Sequence, residues 1–365
     1  MEPFLSEQYA NPSGMHAAAR ASKTALEEAR EMVAEICGCT PREVVFTGGG
    51  SEGDNLAVKG AAWAARDRSG ADGVVTAGIE HKAVLGACDR LAGDGFRVAR
   101  IDAGASGIVD VDALAQVLDD RTAVVSVMLV NNETGIVQPL AEVADLVRER
   151  APQAVLHTDA VQAPAWLDLR VAAAGCDLVT ISGHKFGGPK GVGALVVRDG
   201  VDLVPLIDGG GHEGARRAGT QNVAAIAGLA AALAVTDAHR FDDCARIAEL
   251  RDRLQAGLAR AIPELVINGD PLHRVEGILN CAFPGLEAET LLVVLDQHDV
   301  YASSGSACGS GAIDPSHVLL AMGLDHDRAG SSIRFSLGEA TTSADIDAAL
   351  AVIPEAVHRL IATAA

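Results

Sequence analysis

Positive charge is scarce in this sequence. Lys and Arg number 29 against 49 Asp and Glu, a formal charge of −20, which argues against a broad surface for a phosphate backbone. No nucleic-acid partner is expected. Long apolar runs are missing as well. The longest uncharged apolar stretch, Val223 to Val235, falls well short of the roughly 18 residues a membrane span needs, so no membrane partner is expected. The N-terminus carries Glu2 and Glu7 with no cationic stretch before an apolar core, which does not fit a secretory signal. A cytoplasmic protein is the expectation. The cysteines are seven, odd in number and scattered, unlike a disulfide framework, so reduced thiols are expected. Cys37 and Cys39 form a lone C-x-C pair without a second pair at zinc-site spacing. They read as core or surface thiols, and no metal is expected. The sequence has no repeat with a period of about 20 to 50 residues. It also lacks both G-x-G-x-x-G and the P-loop lysine pattern, which removes support for nucleotide binding.

What is present is the balance of a globular protein, 49% hydrophobic and 21% charged. At about 150 residues per domain, 365 residues suggest two or more domains. Short β-branched runs alternate with longer Ala- and Leu-rich segments, the pattern of an α/β fold with a parallel sheet. Seven strands are expected: Val44–Thr47, Gly73–Ala77, Phe96–Ile101, Ala123–Val130, Val155–Asp159, Leu178–Ser182 and Ala194–Val197. Helices are expected between most of them, including Ser51–Arg66, Val111–Leu118 and Pro139–Arg150. Beyond the last strand come a Gly-rich loop, a long Ala-rich helix from about Val223 and a mixed region with apolar runs at Leu265–Ile267, Gly277–Ala282 and Ser332–Leu337. We therefore expect a large domain at 14–236 and a smaller α+β domain at 237–365, with residues 1–13 packing on the latter.

The strongest local signal is Ser182-Gly183-His184-Lys185, directly after a strand. Carboxyl ends of parallel strands line the ligand crevice, so a lysine there is a candidate for a Schiff base, against the alternative of a solvated loop lysine. Asp159 ends another strand, where it either caps a helix or joins the lysine. A lysine to hold an aldehyde and a buried carboxylate to keep a pyridine nitrogen protonated are what pyridoxal phosphate needs. Gln162, three residues on, suits the ring's phenolic oxygen. Thr47-Gly48-Gly49-Gly50-Ser51, between a strand and a helix, offers backbone N–H groups to a phosphate. His81 follows a strand from which its imidazole can reach the same crevice, though such a histidine also suits a surface or core position. Cys308 lies among small polar residues, where a thiol is either incidental or a nucleophile that travels. Arg334, within an apolar run, is either a fork for a carboxylate or half of a structural ion pair.

Six segments together carry a resemblance to a known family: Phe46-Thr47-Gly48-Gly49-Gly50-Ser51-Glu52-Gly53-Asp54-Asn55, Asn131-Asn132-Glu133-Thr134-Gly135, His157-Thr158-Asp159-Ala160-Val161-Gln162, Ser182-Gly183-His184-Lys185, Arg217-Ala218-Gly219-Thr220 and Ser303-Ser304-Gly305-Ser306-Ala307-Cys308. In this order, from about Pro3 to the C-terminus, the chain resembles the cysteine desulfurases, which are class V, fold-type I enzymes dependent on pyridoxal 5'-phosphate. The resemblance implies that Lys185 holds the cofactor as an imine, that Cys308 accepts sulfur as a persulfide, and that His81 stacks on the ring and shuttles protons. Asp159 and Gln162 match the partners of the ring nitrogen and phenolic oxygen, and Gly50, Ser51, Ser182 and His184 the phosphate site. Thr220 matches a threonine that reaches the neighbouring subunit's phosphate, which implies a homodimer. Arg334 and Asn132 match the groups that hold the substrate carboxylate and the cofactor's ring oxygen. The implied reaction turns L-cysteine into L-alanine and passes the Cys308 sulfur to an acceptor protein, for iron-sulfur assembly or another thiolation pathway.

The chain departs from the family pattern in two places. Gly48-Gly49-Gly50-Ser51 stands where the phosphate turn usually reads Ser-Gly-Ala-Thr, a change that keeps a hydroxyl. The pattern also opens with a strand and an Ala-Thr-Thr turn, part of the substrate pocket, ahead of the segment matched by Met1 to Gly14; the sequence lacks that turn. Two rival readings follow. One is an aminotransferase or a selenocysteine or other β-lyase of the same fold, which needs Lys185 but not Cys308. The other is a catalytically impaired scaffold.

Overall fold

The computed structural model describes residues 1–305 and 315–364. It divides into two units. The first comprises Met1–Ile101, Val111–Val130 and Pro139–Arg240; the second comprises Asp102–Asp110, Asn131–Gln138 and Phe241–Ala365. Residues 1–13, expected on the small domain, belong instead to the first unit. The Gln8 carbonyl accepts from Ser22 Oγ at 2.8 Å, and Met1 packs so closely on Gly228 that a Cβ there would lie 2.7 Å from its sulfur.

In the first unit the helices are α1 (Ala17–Ile36), α2 (Gly50–Asn55), α3 (Ala61–Ser69), α4 (Lys82–Gly93), α5 (Val111–Val117), α6 (Leu140–Arg150) and α7 (Leu169–Ala172). Its strands are β1 (Val44–Thr47), β2 (Gly73–Ala77), β3 (Arg97–Ile101), β4 (Thr122–Ser126), β5 (Val155–Asp159), β6 (Leu178–Ser182) and β7 (Gly193–Val197). They form one sheet in the order β1-β7-β6-β5-β4-β2-β3, in which only β7 runs against its neighbours. Strands β2, β4, β5, β6 and β7 are buried throughout, which is why they read as unbroken Val- and Leu-rich runs rather than as alternating patterns. The edge strand β3 is blunted by Arg97, which pairs with Asp72 at 2.9 Å and Asp119 at 3.0 Å, and by Arg100, which pairs with Asp89.

Two elements differ from expectation. Strand β4 ends at Ser126, not Val130, although Val127 and Leu129 still donate to the His157 and Asp159 carbonyls. The intervening Met128 N–H turns away to the Glu80 carboxylate at 2.6 Å. The expected helix Ser51–Arg66 is α2 and α3 joined by a π turn at Leu56–Gly60.

Helix α8 (Val223–Ala261) contributes to both units by residue number. By length and composition alone it is apolar enough to cross a membrane, with mean hydropathy 1.3 in its most apolar window. Its Ile226, Leu229, Ala230 and Leu233 are buried, as in the core helix of a globular unit. The second unit holds β8 (Val266–Ile267), β9 (Ile278–Ala282) and β10 (Ser332–Ser336) in an antiparallel sheet, order β10-β9-β8, with α9 (Ala288–Asp296), α10 (His317–Ala321), α11 (His326–Gly330) and α12 (Ser343–Ala364). Among the described residues the six cysteines are free thiols.

A buried ion pair fastens the loop after β7 to β1. The Arg30 guanidinium on α1 grips Glu213 through two bonds of 2.8 and 2.9 Å and also donates to the Val44 carbonyl, while Glu213 accepts the Phe46 N–H. Burial raises and these donors lower the Glu213 carboxyl, which ends below its ordinary range. Arg30→Ala strands that carboxylate, so we expect a loss of about 3 kcal/mol, read as a lower urea midpoint with an unchanged slope.

Candidate active site

The crevice at the carboxyl ends of β1, β2, β5 and β6 gathers most of the expected cofactor residues. Gly48-Gly49-Gly50 crosses the start of β7, where a Cβ on Gly193 would lie 2.9 Å from the Gly49 backbone. Gly49 has φ +142, a conformation other residues rarely adopt, and a Cβ on Gly50 would press on Val161 at 2.8 Å. Three glycines are therefore what lets this turn lie flat against the sheet. Ser51 is exposed at the start of the helical run, and Ser182 approaches the same turn, its Oγ 3.8 Å from a Cβ on Gly49. Ser182 Oγ also bonds His184 Nδ1 at 3.1 Å. Burial, then the charges of Lys185 and Lys190, push the His184 imidazole below its ordinary range, which keeps it neutral.

Beside the turn, one side-chain oxygen or nitrogen from each of Asp54, His81 and Asp159 lies within 4.8 Å of the others. His81 begins α4 and its Nδ1 accepts the Ala83 N–H at 3.1 Å, which fixes the tautomer with the proton on Nε2. Asp159 is buried, with Oδ1 accepting the Val161 N–H at 2.9 Å. Burial pushes its carboxyl up to about 6, against the pull of that N–H and of the Lys185 charge. Lys185 itself is exposed. His157, behind Asp159 on β5, is held to about 3 by burial and is neutral.

The geometry fits pyridoxal phosphate. A flat glycine turn with hydroxyls and a neutral imidazole beside it suits a phosphate. A buried carboxylate answered by one backbone N–H and one exposed lysine suits a cationic ring nitrogen. The structure does not bring every expected residue into this cluster. Gln162 is half-buried in the turn after β5, and Thr220 is exposed in the loop that leads to α8. Asn132 and Arg334 lie together in the second unit. Arg334, on β10, donates from Nη1 to the Asn132 carbonyl at 2.8 Å and pairs with the Ser303 backbone. The Asn132 side-chain oxygen is buried without a hydrogen-bond partner, an acceptor poised for a donor. Cys308 lies outside the described residues.

Three acids drew no role from the sequence. Glu52 accepts the Gly48 N–H at 2.8 Å and pairs with Arg217 at 2.8 Å, tying the glycine turn to the loop of Thr220. Glu80 and Asp54 are buried next to Asp159. Their signal was faint: acids inside motifs that otherwise read as apolar or glycine-rich.

Asp159 makes the cofactor-free chain pH-sensitive. Its carboxyl is higher in the folded than in the unfolded state, so the stability it contributes is present in acid and is lost as pH rises through about 6. The stability of Asp159→Asn over the parent is therefore expected to grow between about pH 4 and about pH 7, checked by thermal unfolding across that range.

Known proteins resemble this chain over most of its length. The family model "Aminotransferase class-V" matches residues 1–349. Among curated relatives, the cysteine desulfurase IscS of Methanosarcina thermophila is 42% identical over 99% of this chain and 88% of its own. Among solved structures, a NifS-like protein superposes with a TM-score of 0.91 at 33% identity, covering 98% of this chain and 94% of its own. The structure of SspA in complex with cysteine gives 0.79 at 34% identity, covering 92% and 93%. The match of the family model over nearly the whole chain, with these relatives, makes this protein a member of the class-V aminotransferase family, pyridoxal-phosphate-dependent enzymes, on its cysteine desulfurase branch.

Proposed function

We propose that this chain takes L-cysteine to L-alanine and carries the sulfur away as a persulfide on Cys308. The observation that carries the reading is the strand-end cluster of Asp159, His81 and Lys185 beside the glycine turn. A relative of the same fold was solved with cysteine bound, which supports the substrate.

Pyridoxal phosphate bound there supplies an electron sink for the carbanion left when the substrate loses its α-proton. The residues do the rest. Gly50 with Ser51, Ser182 and His184 holds the phosphate, joined by Thr220 from the neighbouring protomer of a homodimer. Asp159 keeps the ring nitrogen protonated, while Gln162 and Asn132 bond the ring oxygen. Arg334, with Asn132, orients the substrate carboxylate. Lys185 tethers the cofactor, and Lys185 or His81 moves the α-proton. With Nδ1 already accepting from Ala83, the His81 proton passes through Nε2.

The Cys308 thiolate then bonds to the substrate sulfur as the substrate Cβ–S bond breaks. The electron pair stays with Cβ, which takes a proton, giving alanine and a Cys308 persulfide. An acceptor protein, in iron-sulfur assembly or another thiolation pathway of the cytoplasm, receives that sulfur.

The test is to incubate the whole chain with L-cysteine, pyridoxal phosphate and a thiol reductant. Alanine formed one for one with sulfide supports the proposal. Pyruvate and ammonia in place of alanine would establish a β-lyase, and no turnover from cofactor-loaded protein would remove the reading.

A further inference from the structure

Asp54 is a buried acid with little compensation. It sits one turn into the helical run after the glycine turn, 1% exposed, with Oδ1 lacking any hydrogen-bond partner. Three elements face it. From β5 come Asp159 and His157, from β6 Thr180, and from the turn after β2 Glu80 and His81. Lys185 acts on Asp159 by its charge. The His157 Nε2 lies 3.7 Å from Oδ1. Its two nitrogens are committed to Ser126 Oγ at 2.8 Å and Thr180 Oγ1 at 3.0 Å, and the ring is neutral. Asp54 thus has carboxyl, hydroxyl and imidazole neighbours and no positive charge.

Two buried carboxyls this close cannot both ionise at neutral pH. The charge settles where it is solvated best. Asp159 has a backbone N–H donor and the field of Lys185; Asp54 has a threonine hydroxyl. We propose that Asp54 is a positioning residue held as the neutral carboxylic acid, so that the pair bears one negative charge and Asp159 carries it toward the cofactor's ring nitrogen. The direction of the titration agrees. Burial, then the Asp159 charge, drives the Asp54 carboxyl well above its ordinary range, while Asp159 reaches about 6. A second ionised carboxyl behind Asp159 would lift Asp159 further and weaken its hold on a charge at the ring; a neutral acid there leaves Asp159 the charged partner. The consequence for the cofactor rests on the proposed function, whereas the protonation of Asp54 does not.

The experiment separates the two. The full chain, freed of cofactor and labelled with carbon-13 at the aspartate side-chain carboxyls, is examined by infrared spectroscopy in heavy water at about pH 7.5, well above an ordinary aspartate. We expect an isotope-sensitive carbonyl stretch of a protonated aspartic acid, missing from D54N; Glu80, unlabelled, does not contribute. Cofactor affinity is then read by fluorescence titration. D54N, isosteric with the neutral acid, is expected within about threefold of the parent, and D159N weaker by more than about tenfold. Absence of the band in the parent, its loss on raising the pH from about 4 to about 5, or its survival in D54N overturns the proposal. So does a D54N affinity as poor as that of D159N. If D54N does not fold, the parent's band and its pH range decide alone. A parent that shows the band but binds no pyridoxal phosphate would sink the proposed function and leave the protonation of Asp54 standing.

Discussion

Cys308→Ala is expected to stop alanine release from L-cysteine, lowering the rate by at least about 10³-fold with cofactor content unchanged. The argument is electronic. Breaking the substrate Cβ–S bond toward alanine needs a nucleophile that takes the sulfur and leaves the electron pair on carbon. Water cannot play that part, since its attack at sulfur produces no stable sulfur species at neutral pH. Without the thiolate the α-proton can still be lost and regained, so exchange of the substrate α-hydrogen with heavy water is expected to persist. Alanine formation and α-hydrogen exchange, measured side by side in parent and variant, therefore separate the two halves of the reaction. Loss of both would make Cys308 a structural residue; alanine at the parent rate would show that Cys308 is not the nucleophile that takes the sulfur.

Lys185→Ala is the second large effect, with a rate loss on the order of 10³-fold and, unlike the first, a loss of α-hydrogen exchange. Lys185 follows the buried strand β6 and acts on Asp159 by its charge; in the proposed mechanism its removal takes away both the amine that tethers the cofactor and a base for the α-proton. The proposed phosphate site at Gly50, Ser51, Ser182 and His184 is left in place. Cofactor is therefore expected to remain bound, though releasable by dialysis, and added small primary amines to restore part of the exchange. Full exchange in Lys185→Ala would assign the base to His81 alone.

How these residues come together was partly legible in the sequence. The alternation of β-branched runs with helical segments is a local property, and six of the seven expected strands agree with the observed bounds to within a residue. Strand β4 was overextended because Val127–Val130 has strand composition, while its end is set by a side chain from another turn, Glu80, taking the Met128 N–H. The glycine turn, Asp159 and Lys185 were legible because each lies at a strand end, where topology alone directs side chains to the crevice.

The sequence by itself determined the fold class and the family: these depend on residue order and on local patterns along the chain. Only the tertiary structure decided the protonation states and the partners. Asp54, Glu80, His157 and Asp159 are ordinary titratable residues in an extended chain. Burial of all four against one another makes His157 neutral and pushes the three carboxyls up. It also decided that residues 1–13 belong with the large unit, through the contacts of Met1 and Gln8. Desolvation and long-range pairing depend on what surrounds a group in space, and no spacing along the chain records that.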